Sequence, residues 1–191
     1  MKKKSQKKYE AILDATAQLI LSKDVGDVST TAIAQAVGIP QSSIYTYFDN
    51  RAALLAALFL REIKALYQAD YDVALNQPIA SLLQHYLTNL FKFALEHPDS
   101  MTVIEKLKSE MWIDVKTVAQ VEEWVSQTPI QQLLAANLHN GTFRSVDISL
   151  VRNLLFSTIK IHADNILNGV YTQNERPFSE VCELLIAALM K

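Results

Sequence analysis

The chain has 191 residues, half of them hydrophobic, and a formal net charge of −2. That length and composition suit one or two globular domains with a sizeable core. The longest uninterrupted apolar run, Ala52 to Leu60, is nine residues, about half of the roughly 18 that would indicate a membrane span. No apolar segment of adequate length follows the first lysines, so we find no signal peptide and expect a cytoplasmic protein with no membrane partner. A single cysteine, Cys182, excludes an internal disulfide and a cysteine-pair metal site.

Charge is distributed unevenly along the chain. Residues 1–61 carry eight basic and five acidic side chains, a net charge of +3, whereas residues 62–191 carry 10 basic and 15 acidic side chains, a net charge of −5. An excess of positive charge at one end fits an anionic partner such as nucleic acid for that end. A lysine-rich start is also common in solvated tails, so charge alone does not decide between the two.

The first 50 residues have the pattern of a helix-turn-helix. A helix is predicted from about Lys7 to Ser22, and the sequence "DVGDV" then breaks it. Ser29 is placed to cap a second helix, "TTAIAQAV", although its capping box lacks the acidic or amide partner. Gly38 provides the backbone freedom for a tight turn, and Pro40 starts a third helix of about eight residues. Two short helices joined by such a turn are typical of DNA-binding domains.

The third predicted helix is rich in hydroxyl groups. Ile44 and Phe48, four residues apart, form a narrow apolar edge that packs inward. On a helical wheel Tyr45 lies near that edge, so we expect its ring to be partly buried. The opposite side carries Ser42, Ser43, Thr46 and Tyr47. Such a face suits a DNA groove, but an ordinary solvated helix rich in serine and threonine has the same pattern.

The rest of the chain also has helical periodicity. Pro78, Pro98, Pro129 and Pro177 each precede a stretch whose apolar residues recur at intervals of three and four, and proline is tolerated in the first turn of a helix. We expect the hydroxyl of Thr128 to cap the helix at Pro129. No sustained alternation of apolar and polar residues indicates a sheet. The sequence therefore predicts an all-α protein.

The N-terminal pattern resembles the tetracycline-repressor-like (TetR) family of transcriptional regulators. The resemblance depends on "YEAILDATAQLILSKDVGDVS" and on "TTAIAQAVGIPQSSIYTYFDNRAALLAAL", over about residues 7–58. Three positions depart from the family pattern: Pro40 replaces a common serine cap, Ser42 a frequent glycine and Arg51 the usual lysine. The resemblance implies a helix-turn-helix DNA-binding domain at residues 1–50. It also implies a larger helical domain at residues 51–191 that binds an effector and dimerises, with the helix that starts at Arg51 coupling the two.

By the same resemblance, nine side chains are expected to contact double-stranded DNA. We assign Gln41, Ser42 and Thr46 to base edges, where glutamine can pair bidentately with adenine. The residues assigned to the DNA backbone are Thr30, Thr31, Tyr45, Tyr47 and Arg51. The full set is Thr30, Thr31, Gln41, Ser42, Ser43, Tyr45, Thr46, Tyr47 and Arg51. The lysines between Lys2 and Lys8 either reach the minor groove or nearby phosphates, or form a disordered tail.

Candidates for the effector site and the dimer interface come from apolar and aromatic residues of the larger domain. An apolar cavity with a few polar groups would suit a small-molecule effector. Its candidates are Tyr86, Phe93, Met101, Met111, Trp112, Trp124 and His162. The last two helices, about Asp147 to Leu167 and Pro177 to Met190, are expected to pair with their copies in a homodimer through Leu150, Val151, Leu154, Leu155, Val181, Leu185 and Leu189. Packing in the protomer's own core is the alternative for both groups.

The expected function is a ligand-responsive, homodimeric repressor. It would bind a near-palindromic operator and be released by a small-molecule effector, with no cofactor or metal. We do not expect an enzyme, because the chain has no G-x-S-x-G, no Gly-rich phosphate loop and no H-E-x-x-H, and its four histidines are scattered. The alternative is a helical protein-interaction module without sequence-specific DNA binding.

Overall fold

The computed structural model describes residues 2–68, 77–109 and 112–191 of the chain. Nine α-helices lie in these ranges: α1 Lys2–Ser22, α2 Thr30–Val37, α3 Arg51–Gln68, α4 Ile79–Glu96, α5 Pro98–Ser109, α6 Val115–Ser126, α7 Pro129–His139, α8 Ile148–Leu167 and α9 Phe178–Leu189. Two short 3₁₀ helices span Val25–Asp27 and Gln41–Thr46. The β-pairing found in the described ranges is an isolated bridge between Phe143 and Met190, so the all-α prediction is confirmed.

The chain forms two compact units. The first unit comprises residues 1–64 and 99–122, and the second comprises residues 65–98 and 123–191. The first unit therefore contains α5 from its second residue onward and most of α6, in addition to the predicted helix-turn-helix. The functional division that we predicted at residue 50 stays a prediction.

The first unit is built around the apolar faces of α1 and α2. Helix α1 packs against α2, and α2 packs against the 3₁₀ helix Gln41–Thr46. Ile12, Ile33 and Ile44 are fully buried where these elements meet. Helix α1 begins earlier than the predicted start near Lys7, although the side chains of Lys2 to Lys4 lie outside the described part. Burial of these branched side chains stabilises the unit mainly through the hydrophobic effect.

The turn of the helix-turn-helix follows the predicted chemistry. The Ser29 side chain accepts a hydrogen bond from the Ala32 amide at 3.1 Å and so caps α2. Gly38 ends α2 with φ of +71°, a left-handed conformation that glycine adopts without a steric penalty. The predicted eight-residue third helix is wrong in type and length, because Gln41–Thr46 is a 3₁₀ helix. This tighter helix is common in short segments, and here it still buries Ile44.

The second unit is a helical bundle centred on α4. Helix α4 packs against both α8 and α9, and α7 packs against α8. Asp147 caps α8 by accepting a hydrogen bond from the Ser149 amide at 2.8 Å. The predicted cap at Thr128 is wrong, because its hydroxyl donates back to the Val125 carbonyl at 2.8 Å. None of the described helices is both long and apolar enough to cross a membrane.

Candidate nucleic-acid interface

The 3₁₀ helix Gln41–Thr46 separates an inner apolar edge from an outer polar surface. Ile44 is fully buried and Phe48 is 5% exposed. The predicted DNA-contacting side chains fall into three groups by exposure. Thr31, Gln41, Ser42, Tyr45 and Thr46 are exposed, Ser43, Tyr47 and Arg51 are half-buried, and Thr30 is buried. The hydroxyl-rich surface predicted from the sequence is therefore largely accessible.

Tyr45 agrees with the sequence expectation of a partly buried ring. Half of the residue, 50%, is exposed, so the protein covers the other half. An exposed tyrosine has its ring and its hydroxyl available to DNA, which is compatible with the predicted contact to the backbone.

Thr30 is used inside the domain. It is 8% exposed, and its hydroxyl oxygen accepts a hydrogen bond from Gln41 Nε2 at 2.9 Å. The same oxygen lies 3.3 Å from the Tyr45 hydroxyl, within hydrogen-bond distance. The predicted contact between Thr30 and the DNA backbone stays a prediction, and the structure adds these internal contacts. Thr30 connects the start of α2 to two exposed side chains of the following 3₁₀ helix.

Tyr9 packs against the two aromatic residues that directly follow the 3₁₀ helix. Its ring stacks on Phe48 with a centroid distance of 5.0 Å and lies 6.4 Å from the ring of Tyr47. The sequence reasoning missed this residue, although Tyr9 lies one turn before Leu13 on the inner face of α1. The ring of Tyr47 therefore lies between the core and the solvent. The contact that we predicted between its hydroxyl and a DNA phosphate stays a prediction.

Arg51 is held by the protein itself. Its Nε donates to the Val28 carbonyl at 2.7 Å, and its Nη2 donates to the Val25 carbonyl. The guanidinium carbon also lies 4.9 Å from the centroid of the Trp112 ring, a cation–π geometry. Arg51 therefore fastens the segment that precedes α2 to the start of α3. The predicted phosphate contact of Arg51 stays a prediction, and the structure adds this internal role.

A second cation holds the end of α1. Lys106 Nζ, on α5, donates to the carbonyl of Ile20 at 2.8 Å and to that of Lys23 at 3.3 Å. The last carbonyls of a helix have no partner within the helix, and a positive charge there interacts favourably with the helix dipole. Helix α5 thus contributes directly to the stability of the first unit.

The predicted effector-site residues lie in both units. Met101 and Trp112 belong to the first unit, Met111 lies outside the described residues, and Tyr86, Phe93, Trp124 and His162 belong to the second. Trp112 packs against Arg51, and both residues belong to the first unit. The ligand-binding role of this group stays a prediction.

Two buried polar side chains stand out in the second unit. His162 is 5% exposed, and its Nδ1 lies 3.0 Å from the hydroxyl of Tyr171. Burial lowers the pKa of His162. Gln131 is 2% exposed and donates from Nε2 to the Tyr86 hydroxyl at 3.2 Å. Within the described part of the chain, His162 Nε2 and Gln131 Oε1 are buried without a hydrogen-bond partner.

The predicted dimer-interface residues divide between the core of the second unit and its surface, and their role in dimerisation stays a prediction. Four of the seven predicted interface residues have their side chains in the core of the second unit: Val151, Leu155, Leu185 and Leu189, each at most 4% exposed. Val181 is half-buried. Leu150 and Leu154 remain exposed at 61% and 45%. Helical periodicity finds two apolar faces here and cannot tell which one faces α4.

Comparison with known proteins assigns this helix-turn-helix to a family. Residues 12–58 match the family model for bacterial regulatory proteins of the tetR family. The helix-turn-helix region is therefore similar to that of TetR-family regulators, and this match covers less than half of the chain. An HTH-type transcriptional regulator of unknown role from Mycobacterium tuberculosis (strain CDC 1551 / Oshkosh) is 37% identical over 57 residues. That match covers 30% of this chain and 28% of the relative, so the chain matches less than a third of that relative's length.

The fold of the whole chain is also that of TetR-family regulators. A TetR family transcription regulator from Marinobacter aquaeolei VT8 has a TM-score of 0.82 at 20% identity, and the match covers 100% of each chain. The Bacillus subtilis regulator FadR, crystallised with stearoyl-CoA, has a TM-score of 0.68 at 19% identity, with 94% of this chain and 98% of FadR covered. Both of these structures are of transcription regulators.

Proposed function

We propose that the protein is a homodimeric transcriptional repressor that binds a near-palindromic DNA operator and is released by a small-molecule effector. The observation that carries this proposal is the accessible polar surface of the 3₁₀ helix, on which Gln41, Ser42 and Thr46 are exposed. Buried Ile44 and Phe48 fix the orientation of this surface. A repressor that binds an operator acts where the DNA is, so we propose a cytoplasmic location.

Reading and holding of DNA are divided between two kinds of side chain. Gln41, Ser42 and Thr46 have amide and hydroxyl groups that can donate to or accept from base edges in the major groove. Tyr45 and Tyr47 have hydroxyls that suit phosphate oxygens, which fix the register without reading sequence. The net charge of +3 over residues 1–61 adds a salt-dependent attraction to any DNA sequence.

A second copy of the chain is the partner that we propose for the outer face of α8. Leu150, Leu154 and Ile161 are 61%, 45% and 58% exposed, and their spacing puts them within about 40° of one another on the helix. Leu184 on α9 is 72% exposed. A two-fold dimer through these helices would present two recognition surfaces, and half-sites about 34–36 Å apart would meet successive major-groove turns.

The effector is proposed to bind in the second unit. His162 Nε2 and Gln131 Oε1 are buried polar atoms without partners in the described residues, and such atoms favour a ligand or water that completes their hydrogen bonds. FadR binds stearoyl-CoA, so an acyl thioester is the first probe that we would test. An effector that prefers one conformation of the dimer would change operator affinity by the ratio of its two affinities.

Selection from a random DNA pool tests the central part of the proposal. The wild type should enrich a near-palindrome, and Gln41→Ala should lose the preference at the position that Gln41 reads. Gln132→Ala, an exposed glutamine on α7, is the matched control and should select the same operator as the wild type. Failure of a folded, dimeric wild type to enrich any sequence would favour the interaction-module alternative.

Sedimentation and release experiments test the remaining parts. Leu154→Glu should convert the dimer to a monomer, because it puts a charge into the proposed apolar interface, whereas Gln132→Glu should not. Stearoyl-CoA added to the protein–operator complex should release DNA if acyl thioesters are the effector class. A Leu154→Glu variant that remained dimeric would contradict the proposed interface, and unchanged operator affinity with stearoyl-CoA would exclude that effector class.

A further inference from the structure

We propose that Thr30 is a positioning residue that holds the Gln41 amide in the orientation in which it reads a base. The inference rests on the proposed DNA-binding function and assigns to Thr30 a role in sequence discrimination. Thr30 would act through Gln41 and would not touch DNA itself.

The contacts of Thr30 carry this inference. Thr30 is 8% exposed at the start of α2, whereas Gln41 and Tyr45 are exposed on the 3₁₀ helix. Its hydroxyl oxygen accepts from Gln41 Nε2 at 2.9 Å and lies 3.3 Å from the Tyr45 hydroxyl. A hydroxyl can donate one hydrogen bond and accept two, so this single group can serve both neighbours at once.

The hydrogen bond to Thr30 orders the side chain of Gln41. An exposed glutamine samples several rotamers, and ordering it on DNA costs free energy. The Nε2 group has two hydrogens, and the bond to Thr30 uses one of them. The other hydrogen and Oε1 remain for a base, and these are the donor and acceptor that bidentate pairing with adenine requires. The protein therefore orders Gln41 before DNA arrives.

The position of Thr30 in a packed helix explains why it can hold Gln41 in place. Thr30 is held by its place in the first turn of α2, whose N-terminus is capped by Ser29. Helix α2 itself packs on the 3₁₀ helix. Because both ends of the Thr30–Gln41 bond belong to packed elements, loss of the hydroxyl should free Gln41 without moving either helix.

Removal of the Thr30 hydroxyl tests the proposal. Thr30→Val keeps the shape of the side chain, and Thr30→Ser keeps the hydroxyl. We would measure affinities for the selected operator and for each single-base variant. Thr30→Val should lose about three- to tenfold of the discrimination at the position read by Gln41, the range expected for one side chain that is no longer pre-ordered. Thr30→Ser should restore it to within about twofold of the wild type, because its hydroxyl remains.

Two controls separate positioning from a general structural role. In the Gln41→Ala background, Thr30→Val should have no further effect on discrimination at that position, because its target is absent. Discrimination at the other operator positions should be unchanged in Thr30→Val. If Thr30→Val unfolds, Thr30→Ala provides a second variant without the hydroxyl.

Each result has a definite meaning. Unchanged discrimination in a folded Thr30→Val variant, or an equal loss of affinity for every sequence, would overturn the positioning role and leave the DNA-binding function intact. A wild type that selects no operator would overturn the proposed function, and this inference with it.

Discussion

Replacement of Arg51 by methionine should destabilise the protein, because Arg51 holds two backbone carbonyls. Methionine has a similar length but cannot donate, so the carbonyls of Val25 and Val28 lose their hydrogen bonds from Arg51. The Val25 carbonyl keeps its hydrogen bond from the Val28 amide. A hydrogen bond from a charged group contributes about 1.5–3 kcal/mol, and an accessible cation–π contact about 0.5–1 kcal/mol. The half-buried position of Arg51 reduces these values, since solvent screens the charge.

We therefore expect Arg51→Met to lower the free energy of unfolding by about 3 kcal/mol, and the Tm by about 6–12 °C for a chain of this size. Urea unfolding followed by far-UV circular dichroism measures the change. Fluorescence is less suitable, because Trp112 itself touches the mutated residue. Arg144→Met removes an exposed arginine and should leave stability within about 0.5 kcal/mol of the wild type.

The result of this experiment separates two roles of Arg51. If the residue serves only as a phosphate contact, Arg51→Met should weaken DNA binding and reduce its salt dependence while the free energy of unfolding stays unchanged. That combination would refute the structural role argued from the Val25, Val28 and Trp112 contacts. Arg51→Lys adds a second check, because lysine keeps the charge but not the fork that reaches two carbonyls.

Three further predictions follow from local geometry. Gly38→Ala should cost about 1–2 kcal/mol in urea unfolding because φ is +71°, whereas Gly26→Ala, whose new Cβ would lie 3.4 Å from the Trp112 ring, should be neutral within about 0.5 kcal/mol. Lys106→Met should lower the Tm by uncapping α1; an unchanged Tm would contradict that role. Burial lowers the pKa of His162, so the unfolded state binds more protons than the folded state at acidic pH. The free energy of unfolding should therefore fall as the pH drops below about 6.5, and His162→Gln should reduce that pH dependence.

The sequence predicted the helices well where local chemistry marks their ends. Pro98 and Pro129 start α5 and α7 as expected, and α8 ends at the predicted Leu167. The Ser29 cap and the left-handed Gly38 were also predicted correctly. These features depend on a few neighbouring residues, so a single sequence contains the information.

The internal roles of Thr30 and Arg51 could not be predicted in the same way. The partners of Arg51 are backbone carbonyls, which every residue has and which leave no signal in the sequence. The partner of Thr30 is Gln41, 11 positions away, and only the turn at Gly38 brings them together. Both residues resemble surface polar groups until the fold is known.

The dimer candidates show a different limit. Leu150 and Val151 are neighbouring apolar residues of α8, yet Leu150 is 61% exposed and Val151 is 4% exposed. The difference depends on which side of α8 packs on α4, and periodicity alone does not fix that choice. The 3₁₀ geometry of residues 41–46 is a similar case, because a six-residue segment has too few positions to separate periods of 3.0 and 3.6.

The most direct test of the central claim is the affinity of the protein for the selected operator and for a scrambled duplex of equal length, measured by fluorescence anisotropy over a range of salt concentrations. The account predicts that the operator binds at least about a thousandfold more tightly at physiological salt, that both affinities fall as salt rises, and that Gln41→Ala reduces the ratio. Equal affinity of the wild type for both duplexes at every salt concentration would contradict sequence-specific recognition by this helix-turn-helix.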